Sequence, residues 1–424
     1  MTRRAAAALG AILPAMLVPL LALAPAADAQ GRKPPRPDRF ETPPSFNAAK
    51  LPGIDRAGAN YTVLTPVSSD GLLRVYRIKT PYGEIVAQGD EMARMRLNEL
   101  RALAALEKVS GSKSFGEALA KAGVSPLKFA GALIVKPIDT VKNTLSGVGA
   151  VFGRIGAGIS NAGKSPDNAL EGILGVSSER RELATAYGVD PYTDLPPLDA
   201  RLKELSRAAA LGGLTVSGAL LAVPGAAGIV ASNLSTVTKV NDLGIDELAR
   251  RYTGAQLLDL NRDLLVKMGA PPELAERLLA NRNFTPIDML VLVAALDSMK
   301  GVDDREVFAA RAATVHERHI AFFMRRQAEL MAAAHRHGGG FTRFVPLAGY
   351  PFLATRDGRI VTFAPIDIAA WTRTTADAFS DLANARRQVA GQSKGEIHIT
   401  GRATPLAKKQ LGALGWAVVE GARL

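Results

Sequence analysis

Apolar and polar positions alternate over residues 61–64, 73–78 and 84–86, with Ser69-Asp70-Gly71 and Pro81-Tyr82-Gly83 between the runs. Alternation with turn residues at both joints predicts a three-stranded antiparallel meander. From Asp90 the apolar period lengthens to that of a helix and holds through residue 337. The run MARMRLNELRALAALEKV, beginning at Met92, is the first strong helix, and 114–122 is a short one. Pro137 opens a helix whose apolar residues Ile138, Val141, Leu145, Val148, Phe152, Ile155 and Ile159 recur every three or four positions, forming one stripe. Helices are also expected over 178–187, 198–223 and 245–252. Thr253 caps the next one, to Met268, and Pro272 opens another, to Ala280. Thr285-Pro286-Ile287-Asp288 is a capping box with proline at the first helical position, so the apolar run after it reads as helix rather than strand. A single long helix is expected over 303–337, stopped by Gly338-Gly339-Gly340.

The period returns to two at 352–355 and 360–363, on either side of Asp357-Gly358, which is the composition of a hairpin. A helix over 366–388 comes next, and then GEIHITG, TPLAKKQLGALG and WAVVEG give a strand–helix–strand unit. The fold class implied is mainly α with small antiparallel β elements near both ends, an α+β protein. The meander and the C-terminal strands are expected to lie together.

Within the helical middle, residues 208–238 run without one charged side chain and are broken at Pro224-Gly225. They read as two short apolar helices folded back on each other, the element around which the helical domain is organised. Each arm falls short of the roughly 20 residues a bilayer requires, and the run is rich in Ala and Gly. Burial inside a helical domain is the first reading, and insertion into a membrane is the alternative.

Residues 1–29 have the makings of a secretory signal: Arg3 and Arg4, an uncharged apolar core, and Ala27-Asp28-Ala29 before the expected cleavage. Residues 30–58 are Pro-rich and basic, a solvated leader. The meander then occupies 59–89, the helical domain 90–345, and the C-terminal hairpin, helix and strand–helix–strand unit 346–424. The chain has no cysteine, which excludes disulfides and a lipoprotein anchor and leaves stability to a real core. Export without disulfides points to the periplasm or the cell envelope, peripheral to a membrane.

The formal net charge of +12 favours anionic partners, an anionic lipid surface or another envelope component. Aromatic residues make up only 5% of the chain, too few for a stacking surface, and no nucleic-acid partner is expected. The charge concentrates around the apolar stripe, where Lys121, Lys128, Lys136, Lys142, Arg154 and Lys164 are opposed only by Asp139. A basic helix with an apolar face is built to lie in a lipid interface. The candidate contact residues are Lys136, Ile138, Val141, Lys142, Leu145, Val148, Phe152, Arg154 and Ile155.

Catalytic motifs are weaker. Gly158 and Gly163-Lys164-Ser165 match the phosphate-loop spacing, but an amphipathic helix precedes them where a buried strand is needed, and Pro166-Asp167 come directly after. His337-Gly338-Gly339-Gly340 resembles an esterase oxyanion loop, yet no G-x-S-x-G exists in the chain, so a glycine helix stop is the better reading. His316 and His319 are spaced to share a helix face, one residue short of the zinc-protease pattern and without a third ligand. Asp303-Asp304 and Glu179/Glu182 read as charges that complement helix N-termini. No catalytic, cofactor or metal residue is assigned. The function expected is non-enzymatic binding or structural work in the envelope. The alternatives are a membrane-inserting effector using 208–238, and a periplasmic hydrolase with an unrecognised site, which convergence of His316, Glu317 and His319 with a distant carboxylate would favour.

Overall fold

The computed structural model describes residues 40–110, 176–210, 244–391 and 393–424. The second half of the leader is not solvated: Phe46 bridges to Val67, and Ala48, Leu51 and Ile54 are buried around a short 3-10 turn, Ala48–Lys50. Burying those few apolar side chains outweighs the polar composition around them. The N-terminal sheet comprises β1 (Ala57–Gly58), β2 (Tyr61–Val63), β3 (Ser68–Ser69), β4 (Arg74–Thr80) and β5 (Gly83–Gln88), all pairing antiparallel. This is the expected meander with two short strands added.

The helices in chain order are α1 (Asp90–Ser110), α2 (Ser178–Ala186), α3 (Pro196–Ala210), α4 (Ile245–Arg251), α5 (Gly254–Lys267), α6 (Pro272–Leu279), α7 (Pro286–Ser298), α8 (Glu306–Ala313) and α9 (Arg318–Arg336). The expected Thr285–Asp288 capping box forms, and Thr253 caps its helix as expected, in a box with Gln256. The long helix expected over 303–337 is instead two, α8 and α9. Asn281 from another part of the chain donates to the carbonyls of Ala312 (3.1 Å) and Val315 (2.9 Å), and the Thr314 hydroxyl takes the Arg311 carbonyl. Acceptors needed to continue the helix are thereby consumed.

The C-terminal sheet is mixed rather than antiparallel, in the order β12-β10-β8-β7-β6. Its strands are β6 (Phe341–Leu347), β7 (Tyr350–Thr355), β8 (Ile360–Ala364), β10 (Gly395–Ile399) and β12 (Trp416–Glu420). β6, β7 and β8 are antiparallel, the last two joined at the expected Asp357-Gly358 turn, while β8, β10 and β12 are parallel. The crossovers carry α10 (Arg373–Ala390) and α11 (Pro405–Ala413). A two-stranded parallel pair, β9 (Ile368–Ala369) with β11 (Arg402–Ala403), occupies the first part of the helix expected over 366–388. The two β ends belong to separate sheets, joined by a set of turns and by the carboxylate of Asp367. The start of the described chain is tied in as well. The Glu41 amide donates to the Trp371 carbonyl, and the Glu41 carboxylate accepts from the Trp371 amide and the Thr404 hydroxyl, a partner 363 residues away.

Three cores result. The first joins the meander to α1, α2 and α3 through Tyr76, Ile78, Leu100, Leu103 and Leu198. The second surrounds α7, where every residue from Ile287 to Leu296 is buried, and reaches one face of the C-terminal sheet at Leu353 and Val361. The third lies on the opposite face of that sheet, where Ile360, Ile397 and Trp416 pack with Phe379 of α10 and Leu411 of α11. Among the described residues, α7 is thus the apolar centre; the 208–238 stretch, expected in that role, lies largely outside them. No described helix is long and apolar enough to cross a membrane.

Because α7 is enclosed on all sides, truncation there leaves a cavity that neighbours cannot fill. Leu292→Ala is expected to lower the unfolding free energy by about 3 kcal/mol, read as a shifted denaturant midpoint. A shift within the error of the wild-type midpoint would mean that the α7 core can collapse around the loss.

Candidate functional site

Gly89, at φ +96°, lets β5 turn directly into α1. The first residue of that helix, Asp90, accepts the Tyr76 hydroxyl at 2.5 Å and the Arg74 guanidinium at 2.6 Å. Its backbone N–H is capped from far along the chain by Asp367, just past the end of β8. One Asp367 oxygen accepts from Asp90 N–H at 3.0 Å and from Arg74 N–H at 2.8 Å. The Leu72 carbonyl takes the amides of Asp367 and Ile368, and the Gly71 carbonyl takes that of Ala370. The backbone here leaves no room for side chains: a Cβ on Gly401 would stand 1.9 Å from the Asp367 carbonyl oxygen. Burial, then the neighbouring Asp90 carboxylate, push the Asp367 carboxyl up to about 8 against the pull of its two backbone donors. Burial also raises the Tyr76 phenol, with Asp90 adding to it.

A second constellation begins one residue later. Glu91 pairs with Arg326 (3.3 Å), Arg326 with Glu329 (2.8 Å), Glu329 with Arg325 (3.5 Å) and Arg325 with Asp288 (3.0 Å). Asp288 pairs with Arg318 (2.8 Å), Arg318 with Asp194 (3.4 Å), Asp194 with Arg96 (2.6 Å) and Arg96 with Glu99 (2.7 Å). The signs alternate without a gap. The ring leaves α1 at Glu91, passes through α9, α7 and the loop before α3, and returns to α1 at Arg96, which also binds Glu99. Its middle is deeply buried, with Glu329 at 0% and Asp288 at 2% side-chain exposure, and it meets solvent at Glu91 and Asp194. Burial resists ionisation of Asp288, but Arg318 and Arg325 outweigh it and hold the carboxyl below its usual range. Asp194 is likewise held low, Arg96 and Arg318 overcoming burial. For Glu99 burial wins over Arg96, and its carboxyl is raised.

Beside both constellations lies a shallow crevice, walled by Phe322 and Phe323 and carrying Gln88, Glu91, His319 and Arg326. Burial lowers the His319 imidazole below its ordinary value, with Glu317 (3.4 Å) and Asp70 opposing, so the ring is neutral at pH 7. Among the described residues, it forms no hydrogen bond to a serine or threonine hydroxyl. His316 does not share its helix face; it is exposed in the turn before α9, for which Glu317 is the cap residue. Among the described residues, no cluster of three His, Asp or Glu side chains is placed to hold a metal. The crevice has room for about one water molecule, and among the described residues the geometry assembles no nucleophile.

His337 ends α9 and Gly338 comes next at φ +83°, so this stretch is a helix stop. Lys136, Ile138, Val141, Lys142, Leu145, Val148, Phe152, Arg154 and Ile155 lie outside the described residues, as does the Gly158–Ser165 motif. The ion-pair ring is absent from the sequence-based expectations. Its clue in the sequence is Arg325-Arg326 and Glu329 set in AFFMRRQAELMAAA, where a charged cluster interrupts apolar residues on nearly every side. Compared with known proteins, the chain matches no family model, no curated relative and no solved structure.

Two outcomes are expected. Removing one partner of a buried pair strands the other charge, so Arg325→Met is expected to lose about 3 to 5 kcal/mol of stability in chemical denaturation. A loss under about 1 kcal/mol, the size of a surface pair, would show that Asp288 is satisfied without it. For Asp367 the sign comes from linkage: folded, the carboxyl keeps its proton up to about 8, whereas unfolded it releases it near 4. Its contribution to stability is therefore complete below about pH 4 and is lost progressively as pH rises to about 8. Asp367→Asn keeps an acceptor for both backbone donors and has no proton to lose. Melting temperatures of the wild type should thus fall, relative to D367N, across that range; parallel curves would rule out the retained proton.

Proposed function

We propose that this is an exported envelope protein that works by binding rather than by catalysis, holding two chain segments against an anionic membrane surface. The observation that carries this reading is the arrangement of α1 and α3. Arg96 of α1 meets Asp194 just before α3, and Arg201, in the first half of α3, donates at 3.0 Å to the Ser110 hydroxyl at the end of α1, so α3 packs along α1. The described residues of α1 stop at Ser110 and those of α3 at Ala210. Beyond Ser110 the sequence continues into the basic stretch with the Ile138–Ile155 stripe, and beyond Ala210 into the rest of the uncharged run. Lys108 and Arg207, in the last turns of the two helices, are exposed and add positive charge there. Attraction of several cations to an anionic surface, together with burial of an apolar stripe, is enough for reversible binding.

In this reading 208–238 is an apolar helical hairpin sheltered by its neighbours, and the protein resides in the periplasm, peripheral to a membrane. The test uses the purified mature chain and vesicles. Flotation with anionic vesicles, but not zwitterionic ones, is expected, and salt should reverse it. A triple variant, Lys136→Glu, Lys142→Glu and Arg154→Glu, should lose the flotation. Equal flotation with both vesicle types, or with neither, would end the proposal. Dye release that disappears in Leu220→Asp would replace it with membrane insertion by 208–238.

A further inference from the structure

A strand at the edge of a sheet offers unpaired backbone groups to any strand that meets it, so edges are normally kept short, interrupted or charged. Most edges of the two described sheets follow this rule. β1 and β3 are two residues long. β6 carries Pro346 and is bridged by Asp303, whose amide donates to the Thr342 carbonyl and whose carbonyl accepts the Phe344 amide. β5 has no such protection. Its six residues, GEIVAQ, hold one charge, Glu84, and Arg77 on β4 neutralises it with two bonds of 2.6 and 2.9 Å. Val86, in the middle of the strand, is 52% exposed.

The register fixes which backbone groups face outward. The Gly89 amide donates to the Arg74 carbonyl, and the pairs that follow are Tyr76 with Ala87, Ile78 with Ile85 and Thr80 with Gly83. Directly bonded pairs alternate along an antiparallel ladder. Glu84, Val86 and Gln88 therefore turn their N–H and C=O groups away from β4. The other side of β4 agrees, since Arg77 gives its carbonyl to the Leu64 amide there. Among the described residues, none of the outward backbone groups of Glu84, Val86 and Gln88 has a hydrogen-bond partner.

A strand laid on this edge must answer the side chains as well as the backbone, and a second copy of β5 does both. About a two-fold axis through Val86, Glu84 of one copy stands opposite Gln88 of the other, Val86 opposite Val86, and Ile85 opposite Ala87. Every outward N–H then meets a carbonyl. The carboxylate meets an amide that can donate to it, the exposed valines cover each other, and the half-buried Ile85 gains an apolar neighbour. A shift of two residues one way sets Glu84 against Val86, and the other way brings it toward Asp90 at the start of α1. The same operation on β12, about Val418, would set Glu420 against the buried Trp416. We propose that β5 is a dimerisation edge, joining the five-stranded sheets of two copies of this chain into one through antiparallel β5–β5 pairing about Val86. The contact is isologous, so it closes at two copies and leaves no β5 edge open. This inference does not depend on the membrane reading.

The test is sedimentation equilibrium of the full mature chain over about 1 to 100 μM, the range suited to a small interface. The wild type should show a reversible monomer–dimer equilibrium. Val86→Lys sets two ammonium groups side by side on the axis and should weaken it by about tenfold or more. Gln88→Glu opposes Glu84 of the other copy and should weaken it about three- to tenfold, whereas Gln88→Lys offers that carboxylate a cation and should not. A wild type that stays monomeric across the range would overturn the proposal. So would a dimer that Val86→Lys leaves unchanged, or one that Gln88→Glu and Gln88→Lys weaken alike. The chain has no cysteine, so a single introduced thiol reports alone. Val86→Cys should be cross-linked between copies by a short bifunctional thiol reagent, and Val266→Cys, on α5 at 49% exposure, should not. Equal cross-linking at both positions would rule out the β5 edge, a result that stands even if Val86→Lys fails to fold.

Discussion

Charges cannot be left alone inside a protein, and in this chain that constraint settles where four pieces of backbone must sit. Arg325 and Glu329 are in the middle of α9 with almost no solvent access, and each is tolerable only beside an opposite charge. Arg325 requires Asp288, Asp288 also requires Arg318, and Arg318 reaches Asp194, which answers Arg96. The path passes from one element to another at each step, so satisfying one charge recruits the next. Hydrophobic burial supplies most of the driving force for the three cores, but it is non-directional. The alternating ring selects one relative placement of α1, α7, α9 and the α2–α3 loop among the many that would bury similar apolar area.

α9 is the element on which this selection converges. Phe322 packs into the core of the meander and α1, Met324, Ala328 and Met331 into the core around α7, and Phe323 against the core of the C-terminal sheet. A helix apolar on several faces has no solvent side on which to put its charged residues, so they pair internally. Asp367 plays a comparable part at the other seam, where it closes the N-terminus of α1 from the end of β8. The crevice at His319 lies where these seams meet.

Elements governed by short-range rules were legible in the sequence. The two threonine caps, the Asp357-Gly358 hairpin, the meander and the final strand–helix–strand unit all depend on neighbours within a few residues. The misreadings arise where distant residues intervene. Asn281 divides the expected 303–337 helix by taking its carbonyls, and pairing of Ile368-Ala369 with Arg402-Ala403 displaces the start of α10. β6 escapes a reading by period because its Pro346 and its glycine-rich approach conceal the alternation. For the same reason the candidate site stayed hidden. Arg96 with Glu99, or Arg326 with Glu329, has the spacing of an ordinary surface pair on a helix. Only their long-range partners reveal that they are buried.

The tie between Glu41 and the Trp371–Thr404 region bears on the order in which the molecule can be completed. A chain synthesised from its N-terminus produces the meander and α1 long before Asp367 exists to cap that helix, across 277 residues. Glu41, near the start of the described residues, waits longer still, for Thr404. Loops of this span close late, because the entropy of joining their ends must be met before the contacts form. The N-terminal half thus spends much of its synthesis without its last partners, and the ties between the two β ends are the last to close.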